Sequence, residues 1–339
     1  MNPPAIAPAT SSGGSRPFWS VMIPAYNPPK DYLEQTLLSV LAQDPGAEQM
    51  QIEVVDDCSP RVDVAALTRA IAGHRVLVSQ TPNNLGLAGC WNTCIERARA
   101  EWVHLLHQDD LVLPGFYERL GSLTRSVPQA GMVFCRFAHI DESGNWQGLG
   151  PLEQKHSGLL VHWLERVSTG HHVECPAVVV KRSVYERLGY FSRELNFALD
   201  LEMWIRIAAH YPVGYEPAIL ACYRHHAGTE TKRLEQAGGN MMDVVRALKQ
   251  CRTYLPRESA DQLISRAQAF WADIALSLAE QAYAADNLQA CVSQLQSVRA
   301  LCDRGKIRRR RWSLAAKARF KAALGQKAVM TIRRLRAMK

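Results

Sequence analysis

Trp102-Val103-His104-Leu105-Leu106-His107-Gln108-Asp109-Asp110, continued by Leu111-Val112-Leu113-Pro114, is the stretch on which the fold turns. An apolar run of strand length ends in two adjacent carboxylates, and the segment after them opens the next element. In an open α/β sheet, ligands bind just beyond the carboxyl ends of the strands. Carboxylates there can hold a hard divalent cation against a substrate phosphate, because such a metal accepts one or two protein carboxylates and takes phosphate and water for the rest. Alone, two adjacent acids more often describe a solvated turn, so the flanking chain decides.

Upstream, Phe18 to Ile23 is a buried strand stopped by Pro24-Ala25-Tyr26-Asn27-Pro28-Pro29. Asp31 with Glu34 has the form of a capping box, and Leu33, Leu37, Val40 and Leu41 keep helical spacing behind it. Ile52 to Val55 is a second strand ending in Asp56-Asp57-Cys58-Ser59. Val64 to Ala72 predicts a short helix and Val76 to Val78 a third strand. Asn83-Asn84-Leu85-Gly86 then turns into a helix carrying Cys90, Trp91 and Cys94, in which the two cysteines are packing residues. Strands alternating with helices predict a mostly parallel, doubly wound sheet. Its strand-end loops, Pro24–Asn27, Asp56–Ser59 and Gln108–Asp110, open on one edge.

Downstream, Met132 to Ile140 and Trp146 bracket a Gly-containing turn, the pattern of a hairpin. Ala177 to Val180 reads as a strand, Val184 to Leu188 as a helix stopped by Gly189, and Leu199 to Ala209 as another helix. Val213 to Tyr215 and Ile219 to Tyr223 read as two short strands before Arg224-His225-His226. Beyond about Thr231 only helical patterns remain. The expected organisation is a disordered lead over 1–17, an α/β domain over 18–231, a helical extension over 232–303 and a basic amphipathic tail over 304–339.

A chain of 339 residues, 47% hydrophobic, can bury a full core. Its nine cysteines are scattered without CxxC pairs, which fits reduced thiols in a cytoplasmic setting better than a disulfide framework. The Pro/Ala/Ser/Gly-rich start lacks the basic and apolar regions of a signal peptide, and no apolar run approaches the ~18–20 residues of a membrane span. His171-His172-Val173-Glu174-Cys175 lacks the spacing of a zinc site. From Arg304 to Lys339 there are fourteen Lys/Arg and no Asp/Glu; against a whole-chain charge of +8, residues 1–303 carry −6. Trp312, Leu314, Phe320, Leu324, Val329, Ile332 and Leu335 recur among those cations. Such a helix suits an anionic membrane surface, or packs its apolar side on the body and leaves its charges in water. Groove-reading motifs and interleaved aromatics are missing, so nucleic acid is not the expected partner.

Seven segments, in order, resemble glycosyltransferase family 2, the inverting nucleotide-sugar transferases with the GT-A fold, a Rossmann-like sheet. The family reads Pro-x-Tyr-Asn, Asp-Asp-x-Ser, Asn-x-Gly with a later Asn, and Asp-x-Asp-Asp after successive strands. Here these are Pro24-Ala25-Tyr26-Asn27, Asp56-Asp57-Cys58-Ser59, Asn84-Leu85-Gly86 with Asn92, and His107-Gln108-Asp109-Asp110. Gly189-Tyr190-Phe191, Asp200-Leu201-Glu202-Met203-Trp204-Ile205-Arg206 and Tyr223-Arg224-His225-His226 match the family's later motifs. The resemblance covers roughly residues 18–230 and departs at His107, where the family has its first Asp.

The resemblance implies transfer of a sugar from a UDP- or dTDP-sugar to a hydroxyl of a glycan or lipid-linked acceptor, in bacterial surface polysaccharide synthesis. It implies a divalent cation, Mn²⁺ or Mg²⁺, at Asp109 with His107 and His226, and Asp110 as a second-choice ligand. It puts donor binding at Pro24, Tyr26, Asn27, Asp57, Asn84, Gly86, Asn92 and Asp109. Of these, Tyr26 lies against the base and Asp57 accepts its N–H. It puts the general base at Asp200, with Glu202 as rival. Trp204 is open to sugar stacking or core packing, Arg206 to a core acid or phosphate, and His225 competes with His226. The residues leave two other classes open: a catalytically weakened nucleotide- or glycan-binding protein, for which His107 speaks, and a nucleic-acid binder using the tail. The implied setting is cytoplasmic, with the tail as a peripheral contact at the inner face of the cell membrane.

Overall fold

The computed structural model describes residues 16–170 and 172–337, with side chains through Ala323. The expected lead over 1–17 falls almost wholly outside the described residues, as do His171 and the side chains of Leu324, Val329, Ile332 and Leu335. The chain divides into two compact units, Met1–Val167 with His171–His226, and Ser168–Gly170 with Ala227–Lys339. They part five residues before the boundary expected at 231.

In the first unit β1 (Trp19–Ala25), α1 (Lys30–Leu41), β2 (Met50–Asp56), α2 (Val64–Ala72), β3 (Leu77–Gln80), α3 (Gly86–Arg97) and β4 (Trp102–Leu105) follow the expected alternation. After them come β5 (Leu111–Val112), α4 (Phe116–Ser126), β6 (Met132–Ile140), β7 (Trp146–Leu149), β8 (Gly158–Leu159), α5 (Trp163–Ser168), β9 (Val178–Lys181), α6 (Arg182–Leu188), α7 (Leu199–Ala208) and β10 (Val213–Arg224). β1 and β2 are buried at every position, since a parallel strand covered by helices on two faces has no solvent side; β1 is nearly all apolar, whereas β2 buries Gln51 and Glu53, bonded to each other and to Ser20, Ser79 and Arg97. α1 buries Leu33, Leu37 and Val40 at helical spacing. Its start differs from the expected capping box. Pro29 is the N-cap without a side-chain bond, and Asp31 sits in the first turn, where a carboxylate meets the positive end of the helix.

The sheet runs β3-β2-β1-β4-β9-β6-β10-β5. β1 pairs parallel with both β2 and β4, so the chain leaves β1 once to each side, and a crevice opens where the direction reverses. β9 is antiparallel to both β4 and β6. The two short strands expected at 213–215 and 219–223 are one strand, β10, with register shifts between Glu216 and Ala221. Pro217 lies within that irregularity; lacking an N–H, proline interrupts a ladder and is tolerated at bulges. The 132–146 hairpin is present: the Asp141 carboxylate accepts the N–H groups of Ser143 and Asn145, and Gly144 takes the left-handed conformation its turn requires.

The second unit consists of α8 (Glu230–Ala237), α9 (Asn240–Cys251), α10 (Arg257–Ala284), α11 (Leu288–Leu301) and α12 (Gly305–Ala337). α10 buries Leu263, Ile264, Ala267, Trp271, Ala275, Leu276 and Ala279, small and large residues at three- and four-residue steps that let helices pack closely. Among the described residues, no helix is long and apolar enough to cross a membrane.

Candidate active site

The loop after β4 ends at the crevice between β1 and β4 and is held from three directions. Gln108 stitches it to the loop after β1, its Oε1 accepting the Tyr26 N–H at 2.8 Å. The Asp110 carbonyl accepts the Thr36 hydroxyl of α1 at 2.8 Å. From β10, Arg224 donates its backbone N–H to Asp110 Oδ1 at 2.8 Å and its Nε–H to the Asp109 carbonyl at 2.8 Å. The rest of that guanidinium reaches Gln35 Oε1 at 2.7 Å and the carbonyls of Asp141 and Glu142 at 3.4 Å, and it lies over the Tyr32 ring. Arg224 is fully buried. The sequence marked it only as part of a motif, because its guanidinium donors are aimed at partners from three separate segments.

His107, Asp109 and Asp110 offer ligand atoms that all lie within 4.8 Å of one another. Burial, aided by the charge on Asp109, pushes the Asp110 carboxyl up to about 6 against the opposing pull of His107 and the Arg224 N–H. Burial works against a charged His107, yet the facing Cys175 thiol and Asp110 carboxyl carry its pKa well above the ordinary histidine value. The His107 ring stacks on Trp91 with centroids 4.8 Å apart, and its buried Nε2 has no hydrogen-bond partner at normal distance. Two adjacent carboxylates and an orphaned imidazole nitrogen fit a divalent cation of the Mn²⁺ or Mg²⁺ kind, since carboxylate oxygens suit both and imidazole is tolerated by the softer one. His226, expected as a further ligand, stands behind the trio: its Nε2 is 2.8 Å from Asp109 Oδ2. His225 points elsewhere and bonds the His139 ring at 2.9 Å. Further back on β4, His104 is a core residue between Tyr117 and the Pro176 carbonyl, with burial lowering its pKa to about 3.

On the β1–β2 side, Tyr26 is 45% exposed, so its ring is open to a planar ligand. Pro24 is the buried penultimate residue of β1. Asn27 holds the left-handed conformation and pins its loop through the Ser59 hydroxyl and the Arg61 N–H. Asp57 is more committed than its expected role suggests. Oδ1 accepts the Leu85 N–H at 2.8 Å and the Thr81 hydroxyl at 3.0 Å, and Oδ2 accepts the Gly86 N–H at 3.0 Å. One lone pair of Oδ2 remains for a base. Asn84 braces the same turn through the Asp57 carbonyl and the Gly86 N–H. Gly86 adopts φ +70 there, a conformation that disfavours a β-carbon.

Asn92 is a correction. Expected at the donor, it is 2% exposed and spends both ends of its amide on Phe191, accepting that residue's N–H at 2.9 Å and donating to its carbonyl at 3.0 Å. The Asn side chain mimics a strand partner and fastens α3 to the segment after α6. Asn92→Ala is therefore expected to cost about 2–5 kcal/mol, two orphaned buried groups at ~1–3 each, with donor affinity unchanged. Urea unfolding and a donor titration check both halves; lost affinity in a variant of normal stability would return Asn92 to the donor site.

A further buried group is formed by Glu174 and Cys175, which precede β9 and which the sequence marked only as part of a segment without the spacing of a zinc site. Glu174 is buried; burial first, then the charges of Asp200 and Asp110, hold its carboxyl well above the ordinary range. Asp200, at the first turn of α7, is half-buried and accepts the Leu201 N–H at 2.7 Å. Its rival Glu202 is fully buried and paired with Arg206 at 2.9 Å. Arg206 also donates to the carbonyls of Leu188 and Tyr190 at 2.6 and 2.8 Å, so it answers a core acid and closes the end of α6. Trp204 is buried, edge-on to Phe191. Of sugar stacking and core packing, its burial fits core packing.

Comparison with known proteins bears on this geometry. The sequence profile described as Glycosyl transferase family 2 matches residues 20–189. An uncharacterized protein of Mycobacterium tuberculosis, MT1568, is 29% identical over 262 residues, 73% of this chain and 80% of that protein. The amylovoran biosynthesis glycosyltransferase AmsE of Erwinia amylovora is 26% identical over 217 residues, 63% of this chain and 79% of AmsE. Among solved structures, S. aureus TarS 1-349 in complex with UDP-GlcNAc superposes with a TM-score of 0.63 at 14% identity, covering 91% of this chain and 92% of that one. At that identity the likeness shows a shared GT-A-like fold.

Proposed function

The chain belongs to glycosyl transferase family 2, and from that premise we propose that it moves a sugar, with inversion, from a UDP- or dTDP-sugar to a hydroxyl of a glycan or lipid-linked acceptor in bacterial surface polysaccharide synthesis. The observation that carries the reading is the His107, Asp109 and Asp110 cluster after β4, whose ligand atoms lie within 4.8 Å of one another, together with a second acid, Asp200, in the first turn of α7. A donor diphosphate at the first group and an acceptor hydroxyl at the second meet across the crevice. The name of AmsE supports the polysaccharide setting, and the TarS complex supports a uridine donor.

In this reading Tyr26 lies along the donor base and Asp57 accepts its N–H through the remaining lone pair. The acceptor oxygen attacks the anomeric carbon from the face opposite the diphosphate. Asp200 takes the hydroxyl proton as the new C–O bond forms, and the nucleoside diphosphate leaves with the electrons of the old one. Asp109, Asp110 and His107 would hold a divalent cation, which would neutralise charge on the leaving diphosphate. Gln108 and Arg224 hold that loop in place, and His226 orients the Asp109 carboxylate.

The test is release of nucleoside diphosphate from a panel of UDP- and dTDP-sugars with Mn²⁺ and an oligosaccharide acceptor. Asp109→Asn is expected to abolish metal-stimulated donor binding while the fold survives, because it removes the less buried of the trio's two carboxylates. Donor affinity that stays wild-type across a Mn²⁺ titration would sink the metal role. Donor binding by the wild-type protein without release of product would favour a nucleotide-binding protein that has lost catalysis.

A further inference from the structure

The first turns of α12 sort their residues into two faces. Leu314 and Ala318 are buried within the second unit, and the cations on that side are neutralised there. Arg310 pairs with Asp273 and Glu280 at 2.9 and 3.0 Å, Arg311 with Asp303 at 3.0 Å, and Lys321 with Asp286. The opposite side has the reverse character. Trp312 is 59% exposed and Phe320 68%, and eight residues put them about two turns, ~12 Å, apart on one stripe. By helical spacing Arg308 and Arg319 flank that stripe on one side and Lys306 and Lys317 on the other, while Arg309 extends it about one turn before Trp312. All five are exposed, and none has an acidic partner among the described residues.

We infer that this face of α12 is a docking surface for an anionic lipid bilayer. An interfacial helix needs aromatic side chains that enter the headgroup layer and cations at its margins that meet lipid phosphates. Here the packing requirement is already met by Leu314 and Ala318 on the other face, so Trp312 and Phe320 do nothing for the core. Charge complementarity selects the partner: Lys306, Arg308, Arg309, Lys317 and Arg319 leave this face with five exposed positive charges, while residues 1–303 carry −6 and are repelled by the same surface. Nucleic acid would use the cations but not a stripe of two apolar rings without polar readers between them. The inference stands apart from the transfer chemistry and adds where the enzyme works.

The experiment is co-sedimentation of the full chain with vesicles of phosphatidylcholine alone or with 30% phosphatidylglycerol (roughly a bacterial anionic content). The wild-type chain is expected to bind only the anionic vesicles. Arg309→Gln and Arg319→Gln should each weaken binding about fivefold, the equivalent of ~1 kcal/mol per cation at such a surface. Trp312→Ser with Phe320→Ser should weaken it at least about tenfold with every charge kept. Unfolding midpoints and turnover on a soluble acceptor should not change, since these side chains touch neither core nor crevice. Full binding by the double aromatic variant, equal binding to neutral vesicles, or tighter binding to a single-stranded RNA than to vesicles would each overturn the inference. So would loss of a dimer in sedimentation velocity, without vesicle binding, when the two rings are removed.

Discussion

Asp200→Asn is expected to lower single-turnover transfer by roughly 10²–10⁴, the usual contribution of a positioned acid or base, with donor affinity near wild type. The donor keeps its contacts because Tyr26, Asp57 and Asp109 belong to loops after β1, β2 and β4, whereas Asp200 opens α7. The substitution is nearly isosteric and keeps the bond from the Leu201 N–H, so the helix start survives and only the proton acceptor is lost. The contrast is Glu202→Gln. That carboxylate is fully buried against Arg206, with its other oxygen unpartnered. Removing its charge strands a buried guanidinium, which costs about 3–5 kcal/mol when a buried pair is broken on one side. A lowered unfolding midpoint with near-normal transfer in the folded fraction is therefore expected of Glu202→Gln. Donor-saturated single-turnover assays on both variants separate chemistry from binding. A dead Glu202→Gln beside an active Asp200→Asn would hand the base to Glu202.

Arg224→Met is the second large effect. Its guanidinium joins the Asp109 carbonyl, Gln35 and the turn at Asp141–Glu142 in one buried fork. Methionine fills the volume and satisfies none of these acceptors. Each orphaned buried group costs ~1–3 kcal/mol, so stability should fall by several kcal/mol. In the folded fraction the loop carrying Asp109 and Asp110 loses its fixed position, and a displacement of about 1 Å can cost ~10² in rate. Arg224 acts through those carboxylates and does not touch substrate. The signature of that positioning role is a raised Mn²⁺ requirement, which a purely structural role would not give. Arg224→Lys should not rescue, because a point-like ammonium cannot reach acceptors on three segments at once. Wild-type Mn²⁺ dependence in a folded Arg224→Met protein would remove the positioning role.

By itself the sequence determined the elements whose cause is local. β1 was legible because a strand buried on both faces is nearly all apolar, and β2 because Ile52, Val54 and Val55 mark it despite the buried Glu53 between them. α2 was found at its observed ends because a 3.6-residue period and a capping Asp63 are written within nine residues. The strand-end loops bearing Tyr26, Asp57 and Asp109 were legible because strand alternation fixes which edge they open on. The tertiary structure alone decided the rest, where partners lie far apart in the chain. No local pattern announces that β9 enters antiparallel beside β4 and so carries Glu174 and Cys175 to His107. Nor does one announce that Asn92 closes on Phe191, 99 residues on, or that Arg224 reaches back 115 to Asp109. The tail is the same case. Its composition gave an amphipathic helix with two possible uses, and only the burial of Leu314 and Ala318 told which apolar residues the core had taken and which were left facing out. Periodicity records which residues must leave water; which surface receives them is a property of the packed whole.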